Sequence, residues 1–492
     1  MIRTVRCRAP VATAALAGLC SICAGGCGVP VAPGYQIKNE TLAVHFVPGT
    51  PPHFAIRAEY RLANIGNAPL HFIGVELPGE KTFGRSNLRA EIDGKEIILQ
   101  HNPHETPDDW RVPMAAPWRQ KEKITLTLAY DLATVPSTDP RIFAAANMFY
   151  LNDSGWFPGL MGFKAFLSPA ITRPNPTDLV VTVPPDFRVT AAGQPGGTKN
   201  QSGEIEHRFR IRKGDFDPYV LAGQYQQQIV TSAGVTVAIW TFNPIPADQA
   251  QETAAQVATA ANFCAKNFGP LPRSMKAIYS VQPGKSVFNE GLTWKRWQGL
   301  LLPGVIYDPT LDPAESLGKG LDSFISSATG PLELPNTWFE HMIVARPDSW
   351  VLGGGLIDYS SDTLDESMGK SRAEAIASDL SGYDQNRVKA VEKPIASLTP
   401  DDPQAQLDLL GDKIDLFFFA LEDKCGQQNV THAIHDMVYA LRGEDYGYSD
   451  FRAALEQQCH QDLDGFFRTW LAQPGIPPDF RARYQGAGGN KP

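Results

Sequence analysis

Three stretches of this sequence have the residue types and spacing for metal or acid–base chemistry. "THAIHDM" places His432, His435 and Asp436 at i, i+3 and i+4, where side chains of one helix can share a ligand. "TWFEHM" sets Glu340 beside His341, and "HNPHE" brings His101, His104 and Glu105 into a Pro-containing loop. Each also has a plainer reading. Val430, Ile434, Met437, Val438 and Leu441 fall opposite His432 and His435 at 100° per residue, so the His/Asp side is expected to face solvent. A lone His341 is expected as a packed or capping residue. Other chemistries lack their motifs. The sequence has no His-Glu-x-x-His zinc helix, no Gly-x-Ser-x-Gly elbow and no phosphate loop. Cys264 sits among apolar neighbours of a helical pattern, which predicts an inert thiol.

The N-terminus reads as an export signal. "MIRTVRCRAP" carries three arginines and no acid, and an Ala-rich apolar stretch follows that is too short to span a bilayer. "AGGC" then sets small residues before Cys27 and is similar to a bacterial lipobox, which implies acylation of Cys27 and a lipid anchor. Cys264, Cys425 and Cys459 remain beyond it, without any Cys-x-x-Cys pair, so a thiolate zinc site is not expected. Cys425 and Cys459 lie in neighbouring helical segments; they pair in an oxidising periplasm or stay free thiols. A net charge of −9 spread over 492 residues leaves no basic concentration for nucleic acid.

These residues need a scaffold, and the pattern changes half-way along the chain. "FAIRAEYRLAN", "KITLTLAYDL", "DLVVTVP" and "VTVAIWTF" alternate or run apolar and are separated by turn signals. From Ala247 helical periodicity takes over, starting with "ADQAQETAAQVATAANFCAKNF". The expected organisation is a signal over residues 1–27, a β-sandwich over 28–245, a mainly helical domain over 246–478 and a flexible tail over 479–492.

Two segments carry a resemblance. "YSDFRAALEQQCHQDLDGFFRTWLAQPGIP" has a Phe-containing helix, then Asp-Leu, paired Phe, Trp and Gly-x-Pro. "DSWVLGGGLIDYSSD" has Trp350, Leu352, Gly355, Leu356 and Tyr359 in the apolar frame of a Trp-Leu-Asn-Glu-Gly-Phe-Ala-x-Tyr segment. Together with the order of parts, they resemble the zinc aminopeptidases of the aminopeptidase N family. The resemblance implies an α+β multidomain fold, with a saddle-like N-terminal β-sandwich followed by a thermolysin-like, mixed and mainly helical domain. It also locates the family's working residues. Gly354 stands where the zinc-binding Glu belongs. In "GKGLDSF", Gly318 and Asp322 stand for the two His ligands and Lys319 for the general base. Lys413 matches the Lys of the oxyanion segment, and Gly411 replaces its Tyr. Glu290 in "SVFNEGLTW" matches the Glu that holds a peptide's amino group, although Asn-Glu-Gly is also good turn chemistry.

With both imidazoles, the acidic ligand, the base and the oxyanion donor replaced, the expectation is a pseudo-peptidase without a cofactor. It would be an exported envelope lipoprotein, anchored on the periplasmic side of a membrane, that binds peptide or protein. The alternatives are an active zinc aminopeptidase with a non-standard site, with His341, His432 or His435 as ligands, and a purely structural envelope component.

Overall fold

The computed structural model describes residues 34–101, 109–133, 141–152, 155–160, 176–212, 215–282, 302–307, 331–398 and 402–484. Gly318, Lys319, Asp322, Glu290, Cys27, His104 and Glu105 lie outside them.

An eight-stranded sheet dominates the N-terminal part. Its order is Gln194–Gln201, Glu204–Ile211, Thr177–Val183, Tyr35–Val47, His53–Asn64, Lys123–Ala133, Arg85–Ile92 and Lys95–Ile97. The pairing of Tyr35–Val47 with Thr177–Val183 is parallel and the others are antiparallel. Period-two alternation sets the buried face. Val44, Ile56 and Tyr130 form one cross-strand row, and Leu42, Ala58 and Leu128 the next. Burying a large apolar side chain of this kind contributes about 1.5–3 kcal/mol. Two further four-stranded sheets, running through Met148–Leu151 and Leu70–Glu76, feed the same core.

Gln226–Ser232 and Val235–Thr241 leave the sandwich and pair with Ile278–Val281 and Val305–Tyr307 in a separate four-stranded sheet. Composition alone gave those strands to the β half; backbone pairing gives them to the second. Helix α1 (Ala247–Phe268) packs on this sheet and ends at Gly269, as the Gly-Pro signal requires.

The remaining described helices are α2 (Trp350–Ser367), α3 (Arg372–Arg387), α4 (Gln404–Cys425), α5 (Gln427–Ala440), α6 (Tyr448–Cys459) and α7 (Pro478–Tyr484), besides short turns. Ser371 caps α3 by accepting from the Glu374 N–H. Gly426, at φ +84°, turns the chain from α4 into α5, where a Cβ would be strained. A Cys425–Cys459 disulfide, with Cα atoms 5.3 Å apart, ties the end of α4 to the end of α6, and Cys264 stays buried and free. The flexible tail expected from residue 479 is corrected in part: α7 occupies 478–484, because Phe480 is buried against Trp470. Among the described residues no helix is long and apolar enough to cross a membrane.

Candidate functional site

The three glycines lie inside helix α2, and they are not equivalent. A Cβ on Gly355 would sit 2.6 Å from Ile414 Cγ1 and 3.0 Å from Phe418, so the absence of a side chain lets α2 and α4 approach closely. A Cβ on Gly353 would meet Ala345 Cβ at 3.0 Å. Gly354 has no such reason. It is exposed, with no described atom within 4 Å of a Cβ placed there. Helical spacing puts Asp358 and Asp362 one and two turns further along the same face.

That face opens on a group of carboxylates from three helices. Asp358 and Asp362 come from α2, Asp379 from α3, and Asp412 and Asp415 from α4. Their mutual influence shows in their proton affinities. Burial first, then Asp358, Asp379, Asp362 and Asp412, holds Asp415 well above the ordinary carboxylate range. Burial and the charges of Asp362, Asp412 and Asp358 raise Asp379 to about 8. Burial, Asp358 and Asp365 raise Asp362 to about 7, against a pull from Lys370. Asp358 is exposed as a residue, and desolvation of its carboxyl raises it to about 6. Asp412 also rises to about 6 through burial, against a hydrogen bond donated by Asn386 at 3.1 Å. Asp415 Oδ1 and Asp379 Oδ2 are closed to solvent and accept no hydrogen bond from the described residues. No ion pair reaches Asp358, Asp362, Asp379 or Asp415 among the described residues. Such a cluster takes up protons or attracts a cation.

The other sequence candidates fall elsewhere. Gly411 is half-buried on α4, one turn before Asp415, with no described atom near its Cβ position. Lys413 turns the other way, into a buried pair with Glu392. His341 is buried in a π-helical turn, Thr337–Met342, with its ring edge-on to Phe216. On α5, Val430, Ile434, Met437 and Val438 are buried, His432 is exposed and His435 bonds its neighbour Asp436 at 3.4 Å. His101 is exposed on a two-residue strand with its ring edge-on to Trp110. Sequence reading missed the carboxylates. Asp358 and Asp362 at i, i+4 in "LIDYSSD" were their visible signal.

The described residues do not fit a zinc site. Zinc needs three side-chain donors in tetrahedral array. Gly354 offers none, and among the described residues no three His, Cys, Asp or Glu side chains are placed to hold a metal ion.

No protein-family profile and no curated protein matches the sequence. Solved structures do. An M1 zinc metallopeptidase from Deinococcus radiodurans superposes with a TM-score of 0.62 at 16% identity, over 90% of this chain and 95% of that one. A mutant of it bound to a Tyr-Ser-Ala substrate gives 0.63, over 91% and 96%. A two-domain M1 zinc metallopeptidase mutant bound to L-tryptophan gives 0.60 at the same identity. The chain has the M1 metallopeptidase fold. In that two-domain fold the sheet-rich part comes first and the helical part, which holds the glycine gap and the carboxylates, second.

Proposed function

We propose that this M1-fold protein is an exported, lipid-anchored envelope protein that binds the cationic end of a peptide or protein without hydrolysing it. The observation that carries this reading is Gly354, an exposed helix position without a side-chain donor atom, on the helix whose Asp358 and Asp362 form no ion pair among the described residues. Amide hydrolysis in a zinc peptidase needs a metal-activated water, and the described residues supply no ligand set for it. The cleft offers charge instead. At neutral pH Asp358 and Asp412, raised only to about 6, are largely ionised, while Asp379, raised to about 8, holds its proton. An amino group or a basic side chain entering the cleft favours the ionised carboxylates and drives protons off. The likeness to structures described as zinc metallopeptidases supports a second reading, an active zinc aminopeptidase with ligands elsewhere in the chain.

Elemental analysis of protein purified without chelator, beside an assay with aminoacyl reporters, separates the two. The expected result is no stoichiometric zinc and no turnover. Titration with Lys- and Arg-rich peptides in two buffers of different ionisation enthalpy should then show proton release, reduced in Asp379→Asn. One zinc per chain with chelator-sensitive turnover would overturn the proposal.

A further inference from the structure

The chain enters the described fold at Gly34, in the middle of a rim formed by two loops. The Gly34 carbonyl accepts from Ile65 N–H at 2.9 Å and Gly66 N–H at 2.7 Å. Asn64 joins this loop to the next one. Its N–H donates to Glu122 O at 3.1 Å, its carbonyl accepts from Lys121 N–H at 2.8 Å, and its Nδ2 donates to Trp118 O at 2.7 Å. The segments 64–70 and 115–123, two loops with the strand ends that flank them, are therefore joined into one hydrogen-bonded edge.

That edge has a consistent chemistry. Ile65 is 55% exposed, and Pro69 and Pro117 are exposed beside it. Arg119, Lys121 and Lys123 are exposed and make no ion pair among the described residues. Glu122 is the one acid in either loop, and its Oε2 is occupied by the Arg119 N–H at 2.8 Å. Lys121 holds φ +66°, a left-handed turn position that glycine or asparagine would occupy with less strain.

We propose that this rim is a bilayer-contact surface that rests on anionic phospholipid headgroups. Charge complementarity and chain length carry it. Each Lys or Arg near an anionic leaflet adds attraction of its own, and exposed apolar residues settle at the headgroup boundary. Cys27 precedes Gly34 by seven residues (34 minus 27), and seven peptide steps reach about 25 Å at most. The inference rests on the lipid-anchor reading for the membrane it meets. A lipid on Cys27 would hold the rim within that distance of the headgroups, where its basic side chains can reach an anionic leaflet.

The test uses a chain from residue 27 onward with Cys27→Ala, so that no acyl chain contributes. Co-flotation is measured with phosphatidylethanolamine vesicles, with and without phosphatidylglycerol. The expected result is salt-sensitive binding that requires phosphatidylglycerol. It should fall at least about tenfold in the combined Arg119→Glu, Lys121→Glu, Lys123→Glu variant. The neutral Gln variants at the same positions should give an intermediate loss, and thermal melting confirms that both sets fold. Binding that ignores phosphatidylglycerol, or survives charge reversal in folded protein, overturns the proposal. The mass of Cys27 in native protein is read separately. Acylated Cys27 without vesicle binding sinks the rim and keeps the anchor. Vesicle binding with unmodified Cys27 does the reverse.

Discussion

Lys413 and Asp415 lie two residues apart on α4, and both carry an ionisable group into the protein. Lys413 is fully buried, and its Nζ donates to Glu392 Oε1 and to Gln473 O, each at 2.6 Å. Glu392 accepts two more bonds, from Tyr383 OH at 2.6 Å and Gly475 N–H at 2.7 Å. Burial works to raise Glu392, and these bonds overturn it, so its pKa is lowered. Asp415 has no such partner, and burial among four other carboxylates pushes its pKa far up. Buried charge that serves only the fold is paired, because an unpaired one costs several kcal/mol. The side of α4 facing Glu392 obeys that rule. The side that carries Asp415 meets it differently: burial and neighbouring carboxylates hold the proton on, so the group stays neutral instead of paired.

The largest test of this contrast is Glu392→Gln. It leaves Lys413 without its counter-charge and is expected to cost about 3–5 kcal/mol of unfolding free energy in denaturant titration. A loss below about 1 kcal/mol would mean that the pair does not hold this side together, and the contrast with Asp415 would collapse.

A smaller effect separates the glycines of α2. Gly355→Ala should cost about 1–3 kcal/mol, because Ile414 and Phe418 must move. Gly354→Ala should be neutral or stabilise by up to about 1 kcal/mol, since alanine favours helix and meets no described atom. Equal losses at both positions would show that Gly354 is packed, and the cleft would be closed.

The smallest effect sharpens the acidic side. Asp379 has its folded pKa raised to about 8, far above that of an unfolded carboxylate. Between those two values the folded state binds the extra proton. Its stabilising share is therefore complete below about pH 4 and is lost as pH rises through about 8. Asp379→Asn should raise stability by about 1 kcal/mol at pH 8, after allowance for partial solvent contact, with the gain vanishing near pH 4. Melting curves at the two pH values read this directly. A variant less stable at both would indicate a cation or bond that the ionised Asp379 needs.

Much of this was legible in the sequence. The α5 periodicity placed Val430, Ile434, Met437 and Val438 inward and His432 outward, because a 3.6-residue repeat is a local property. The apolar frame around Trp350, Leu352, Leu356 and Tyr359 was legible through the resemblance, and GlyGlyGly alone could not say which glycines were packed. Gly355 acquires its reason from Ile414, nearly sixty residues away. The carboxylates needed three helices to converge, and no local pattern reports that. The sheet that the strands before residue 245 join was hidden for the same reason. Val235–Thr241 has the composition of a sandwich strand, and its partner, Ile278–Val281, decides its sheet.

The parallel pairing of Tyr35–Val47 with Thr177–Val183 also constrains how the protein is made. The first strand lies inside the eight-stranded sheet, with the partner on one flank close by in sequence. Its other flank is sealed by residues such as Thr177, whose hydroxyl bonds Glu40 across 137 positions of chain. Until that late strand arrives, the row of backbone donors and acceptors on the first strand stays uncovered, a template for pairing with another chain. Loop closure over such a distance is slow. Five strands of the sheet precede residue 177 in the chain, and none of them can cover this flank of Tyr35–Val47, so it is closed only once residues 177–183 have been made.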